Sequence, residues 1–215
     1  RARRKEGGWI LDGMAPWITG AAQADVLVIG ASLDDGRSLQ VLVPTSAKGV
    51  KVHPFFSLVA LTESQTARVS LEQVFVSDDS VLLGPTEGET GVRVGGLHTS
   101  ALALGLARRA IRFIGEESVQ RPWLLEPKAE LEARFQLRQD QLCALAENGA
   151  GDAQSLRVAS NVLVNQATQA ALVTAKGAGF VHSHPVGHWC QEALFFLVWS
   201  CPESVQKGSM NGLLD

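Results

Sequence analysis

Three stretches of the 215-residue chain carry side chains that could do chemistry. "HSHPVGHWC" gathers His182, His184, His188 and Cys190 within nine positions, a set that by type could hold zinc. The spacing argues otherwise. His184 precedes Pro185, which disfavours helix at His184 and leaves His182 and His184 outside the helix that follows. No HExxH pattern accompanies them, so a polar loop leading into a helix is expected and no metal. Arg108, Arg109 and Arg112 sit at helical spacing and read as a solvated or subunit-facing stripe rather than a phosphate clamp. "PWITG" places Trp17, Ile18 and Thr19 at the end of a strand-like run, where an aromatic face and a hydroxyl stand side by side. On its own this is an edge strand; it is also the pair of groups a flat ligand would need.

The elements around these groups change period midway. From Gly8 to about Val81 short apolar runs alternate with turn signals: "WILDG", "DVLVIGASLDDG", "SLQVLVP", "TARVSLEQVFV". In the last of these, Val69, Leu71 and Phe75 are expected on one face. Asp34-Asp35-Gly36 marks a hairpin. This half reads as an antiparallel β-barrel or sandwich. After "GPTEGETG" the pattern turns helical. "TSALALGLARRAIRFIGEES" has small residues on one side, with Thr99 or Ser100 able to cap. A second helix carries Leu131, Phe135, Leu142 and Leu145 and ends at Asn148-Gly149. A third ends at Gly177, and a fourth opens at Pro185. Four helices with short links predict an up-down bundle, the fold class being α+β with a β domain over residues 1–90 and a helical domain over 91–215.

Bulk properties exclude several functions. A net charge of -3 gives no general pull toward nucleic acid or anionic lipid, and the basic "RARRK" reads as a solvated strand entry. Three cysteines without framework spacing, Cys143, Cys190 and Cys201, fit reduced thiols in the cytoplasm. No apolar run reaches membrane-span length and no signal peptide opens the chain. The start, already at strand-like sequence without Met, is that expected of a piece of a longer protein.

Taken in order, "GGWILDG…PWITGAAQADVLVIGA", "SQTARVSLEQVFVSDDSVLLG", "ALALGLARRAI" and "GAGFVHSHPVGHWCQEALFFLVW" resemble the middle β domain and C-terminal helical domain of the acyl-CoA dehydrogenase family. The resemblance implies FAD, with Trp17, Ile18 and Thr19 lying along the isoalloxazine ring and the Thr19 hydroxyl near N5. It implies acyl-CoA or a related thioester as substrate, and a homo- or hetero-oligomer, dimer or tetramer. It also implies a helical domain ahead of Arg1.

The family's catalytic carboxylate does not carry over. Its usual position, in a "YEGT"-like stretch, falls on Ser200, after Trp199. The alternative position and its following Arg fall on Gly95 and Gly96. A family Arg before the last helix falls on Gln191, and a Gln and Gly that support a neighbouring subunit's FAD fall on Val173 and Lys176. Only Gly177 to Phe180, "GAGF", survives there; Arg121 matches loosely an Arg ahead of an "FG" turn. Glu203, three residues past Ser200, reads as an exposed acid at a helix entry rather than a displaced base, since Pro202 restricts the turn between them. A neutral hydroxyl is no general base without a partner. The resemblance thus implies an α,β-dehydrogenating flavin enzyme with its base missing and catalytic residues unknown; the alternatives are a catalytically silent partner subunit or a flavin monooxygenase-like relative of the same fold.

Overall fold

The computed structural model describes residues 1–87, 97–199 and 201–214. The chain divides into two compact units, Arg1–Arg93 and Val94–Asp215.

The first unit is built of two antiparallel sheets. β1 (Ala2–Lys5), β2 (Gly8–Ile18), β6 (Ala67–Ser77) and β5 (Val50–Phe55) form one, in that order. β3 (Val26–Ser32), β4 (Arg37–Pro44) and β7 (Val81–Glu87) form the other. Every ladder is antiparallel. Leu11, Leu39, Val41, Val43, Val69 and Val74 are fully buried in one core fed by both sheets, so the arrangement is a sandwich, with no closed barrel among the described residues. β3 alternates as a half-buried strand should: Leu27, Ile29 and Ala31 point in, Val26 and Val28 out. The Asp34–Gly36 hairpin forms as expected, with Gly36 at φ +85°. The basic start is itself a strand, β1, whose Arg3 and Arg4 pair with Asp12 and Asp78.

Phe75 is not on the core face; it is exposed, and Val74 and Val76 are buried instead. The cause is a bulge. Leu11 pairs with Val74 but Gly13 with Leu71, so β6 carries one residue more than β2. Gln73 takes φ +53° there, and its N–H donates to Asp12 Oδ1 at 2.8 Å. The extra residue reverses the faces of everything after it.

The second unit contains α1 (Leu97–Ser118), α2 (Leu125–Asn148), α3 (Ala153–Ala175), α4 (Pro185–Val198) and α5 (Glu203–Leu214). Among the described residues this unit thus has one helix more than the four expected. Ala103, Ala107 and Ala110 bury the small face of α1 against α3. Leu131 and Phe135 are the buried residues of α2, which ends at Gly149 in the left-handed region as its sequence implies. α3 starts on Asp152, whose carboxylate accepts from the N–H groups of Gln154 and Ser155. It ends at Ala175, two residues before Gly177, because Lys176 leaves the helix at φ +54°. Thr99 and Ser100 do not cap α1; they lie inside it, buried. α5 runs close along α3: a Cβ on Gly208 or Gly212 would sit 2.7 Å from a methyl of Val158 or Val162.

Candidate functional site

Two places, one in each unit, concentrate the groups singled out by the sequence. The first is the far end of the four-stranded sheet. Opposite Ala67–Val69 of β6, both flanking strands slip register: β2 between Ala15 and Ile18, β5 between Val52 and Phe55. Each slip contains a proline, Pro16 or Pro54, which has no N–H to give to the ladder. The paired bulges turn side chains outward. Trp17 is 67% exposed and Phe55 59%, and the Trp17 ring lies 4.6 Å from that of Phe56. Met14, Val59 and Leu61 are also exposed. Ile18 is half-buried and closes the strand against Ala67.

Polar groups border this aromatic platform. Thr19, just past β2, places its Oγ1 3.3 Å from Thr66 Oγ1, and Thr66 Oγ1 lies 2.8 Å from Ser64 Oγ. The Gly20 N–H donates to the Ser64 carbonyl at 2.9 Å, and Gln23 donates to Gln65. The loop carrying Ser64 has Leu61 and Gln65 in the left-handed region, at φ +56° and +47°. Non-glycine residues there cost energy and cluster where function needs a fixed backbone. An exposed aromatic surface beside a line of hydroxyls suits a flat, polar-edged ring.

The second place is the elbow between α4 and α5, around Trp199, Cys201 and Pro202; Ser200 lies outside the described residues, as do Gly95 and Gly96. Beneath the elbow, Arg157 of α3 is 1% exposed. Its Nε donates to Asn161 Oδ1 at 3.0 Å and its Nη2 to the Trp199 carbonyl at 2.9 Å, capping α4. Among the described residues Nη1 has no partner, nor do Asn161 Nδ2, Ser160 Oγ and Ser209 Oγ. Among the described residues no ion pair includes Arg157. Burial pulls its pKa below the ordinary guanidinium value, offset in part by Cys201. The Cys201 thiol is pushed up by burial and offset by Arg157. Because a guanidinium cannot discharge at any working pH, the negative end of α4 is its described compensation. Trp199 stacks on Phe195 at 4.7 Å. Glu203 opens α5 as an exposed acid, paired with Lys207 at 2.7 Å.

The remaining candidates separate. His184 is the N-cap of α4, its Nδ1 accepting from the Val186 N–H, with Pro185 in the first turn as expected. His188 Nε2 donates to the His182 carbonyl at 2.8 Å. Among the described residues no group of three His, Cys, Asp or Glu side chains could hold a metal ion. His182, His188, Phe180, Cys190 and Gln191 line a groove of about 310 Å3. Arg109 and Arg112 share Glu116, Arg109 lies over the Trp189 ring and Arg108 over that of Phe135, with Arg112 largely in solvent. Arg121 donates to the Thr174 carbonyl and to Glu117. Val173 is exposed, as is Phe180 at the end of the "GAGF" turn. Thr66, Ser64 and Arg157 were not foreseen. Ser64 and Thr66 could have been found from two hydroxyls flanking one residue before a strand; a lone Arg in an Ala- and Val-rich helix was the only sign of Arg157.

A sheet sandwich followed by a helical bundle is the fold of the acyl-CoA dehydrogenases, and comparison with known proteins agrees. No family model matches the chain. It is 30% identical over 125 residues to benzylmalonyl-CoA dehydrogenase of Aromatoleum aromaticum, covering 54% of this chain and 33% of that protein. It is 26% identical over 218 residues to glutaryl-CoA dehydrogenase of Desulfococcus multivorans, covering 89% and 56%. Among solved structures, a glutaryl-coenzyme A dehydrogenase–glutaryl-CoA complex matches with TM-score 0.83 at 20% identity, over 100% of this chain and 60% of that one. Butyryl-CoA dehydrogenase of Megasphaera elsdenii matches with TM-score 0.81 at 18% identity, over 100% and 63%. These matches bear out the resemblance to the acyl-CoA dehydrogenase family. The chain spans between a third and just over half the length of these two curated relatives.

Proposed function

We propose that this chain is the middle β domain (1–90) and C-terminal helical domain (91–215) of a flavin-dependent oxidoreductase of the acyl-CoA dehydrogenase type. The observation that carries the reading is the exposed Trp17 platform bordered by the Thr19 hydroxyl, at the sheet end where β2 and β5 each break register at a proline. Trp17 would hold the flat ring of FAD, Ile18 would set the strand edge, and Thr19 would offer its hydroxyl to the ring's polar edge. When bound, FAD would supply the acceptor for two electrons and a proton from the acyl chain of a CoA thioester. The exposed apolar residues of α4 and α5, Leu194, Val198 and Met210, support association into a dimer or tetramer. Three free cysteines support a reducing, cytoplasmic setting. Among the described residues no helix is long and apolar enough to cross a membrane.

A second reading, a catalytically silent partner subunit or a flavin monooxygenase-like relative, draws on one observation. The positions where the resemblance puts a carboxylate hold Ser200 and Gly95. The test is a visible absorption spectrum of the protein purified from its whole reading frame, then titration with FAD. A flavin band that weakens in Trp17→Ala is expected. A colourless protein that takes up no FAD would overturn the reading.

A further inference from the structure

Resting on the reading that Thr19 faces the flavin, we propose that Thr66 is a positioning residue: a buried hydroxyl that orients the Thr19 proton toward the ring and so tunes the flavin's potential.

Thr66 is 8% exposed while Thr19 is open to solvent. It stands between two other hydroxyls, 2.8 Å from Ser64 Oγ and 3.3 Å from Thr19 Oγ1. A hydroxyl has one proton to give and two lone pairs to receive. When Thr66 spends its one proton within the row, the three are polarised one way or the other. If Ser64 donates to Thr66 and Thr66 donates to Thr19, the Thr19 proton is left to point outward. In the opposite sense Thr19 spends its proton on Thr66 and can only accept from a ligand. The buried middle member decides which group Thr19 presents.

The far end of the relay is held in place. The Ser64 N–H donates to the Leu61 carbonyl at 2.9 Å, and its carbonyl accepts from the N–H of Gly20, next to Thr19. The turn is flanked by Leu61 and Gln65, both left-handed without being glycine. The two ends of the relay lie on separate segments that the backbone bond from Gly20 to Ser64 ties together. The shorter link joins Thr66 to the half-buried Ser64, and the longer link to the exposed Thr19 leaves that hydroxyl freer to turn toward a ligand.

A proton donated to a ring position that gains electron density on reduction favours the reduced form. The test is the two-electron potential of the FAD-loaded full-length protein, measured by dye-coupled anaerobic titration, with the visible spectrum alongside. Thr66→Val keeps the shape and removes the hydroxyl. It should shift the potential negative by about 30 mV for each tenfold loss of preference for the reduced form. Thr66→Ser should restore the native value. Ser64→Ala should shift it in the same direction by less. Thr19→Val should set the full shift, and adding Thr66→Val to it should do nothing more, because Thr66 acts through Thr19. An unchanged potential in Thr66→Val beside a shifted one in Thr19→Val would overturn the proposal and leave the flavin site standing; so would shifts that add. If Thr66→Val does not fold, Ser64→Ala decides by the same criterion. A native protein that binds no FAD would sink the flavin reading and this relay with it.

Discussion

The platform at the end of the sheet and the elbow between α4 and α5 are opposites in how they hold polar and aromatic groups. Around Trp17 the large rings are in solvent and the hydroxyls beside them are paired with one another. Around Arg157 the charged head is buried and four donor groups, on Arg157, Ser160, Asn161 and Ser209, have no partner among the described residues. An exposed Trp held by little of its own fold is a surface waiting for a ligand. A guanidinium that caps a helix end is a support, and its removal harms the fold before it harms any chemistry. On the proposed reading the two regions divide along the same line: Trp17 to Thr19 would meet the flavin ring, whereas the resemblance would put a carboxylate where the sequence has Ser200.

The largest way to sharpen that division is to supply the acid that the proposed reading lacks. Ser200→Glu in the FAD-loaded protein should raise the rate of anaerobic flavin bleaching by acyl-CoA by roughly 10²–10⁴-fold, the usual worth of a positioned general base. Stopped-flow mixing with an acyl-CoA panel reads it, and rapid bleaching of the unaltered protein would reveal a base elsewhere. Stability should divide the two regions next. Arg157→Ala orphans the Asn161 and Trp199 oxygens, at about 1–3 kcal/mol for each buried group. Trp17→Ala should cost only about 1 kcal/mol, the worth of its ring contact with Phe56. Denaturant unfolding followed by circular dichroism compares them; equal losses would erase the distinction. Gly208→Val comes third. Its Cβ would meet Val158 at 2.7 Å, and overpacking of this kind costs about 1–3 kcal/mol. It should lower the thermal midpoint without touching FAD affinity. A loss of affinity instead would tie the elbow to the platform. The smallest effect is on pH. Asp152 has its pKa lowered, first by its bond from the Ser155 hydroxyl and then by the backbone N–H groups of Ser155 and Gln154. A carboxylate held down in this way stabilises the fold above its unfolded pKa, and the stabilisation is lost as pH falls through the lowered value. Asp152→Asn should therefore flatten the acid side of the stability profile below about pH 4, a change visible in thermal melts across that range.

What could be read in the sequence was local. The change of period, the Asp34–Gly36 hairpin, Gly149 past α2 and Pro185 in the first turn of α4 each depend on a few adjacent residues, and each formed as expected. What could not be read depended on distant partners. Phe75 went to the wrong face because Asp12, far along the chain, captures the Gln73 N–H and fixes an extra residue in β6. The platform joins Trp17, beside Pro16 on β2, to Phe56, just past Pro54 and β5, two segments far apart in the sequence. Arg157 looks like any surface cation in the sequence, and only the packing of α4 and α5 over it makes it a buried cap.

The proline bulges have one more consequence. β1 and β5 are the two edges of their sheet, and an edge strand with free N–H and C=O groups invites another molecule to extend it. Pro54 removes a donor from one edge, at a point where the strand already bends away from its ladder. On the other edge Arg3, Arg4 and Lys5 would bring like charge against like in any second copy. The Pro54 kink, which breaks the ladder opposite the same β6 residues as the Trp17 kink, thus also makes that edge a poorer template for a second copy.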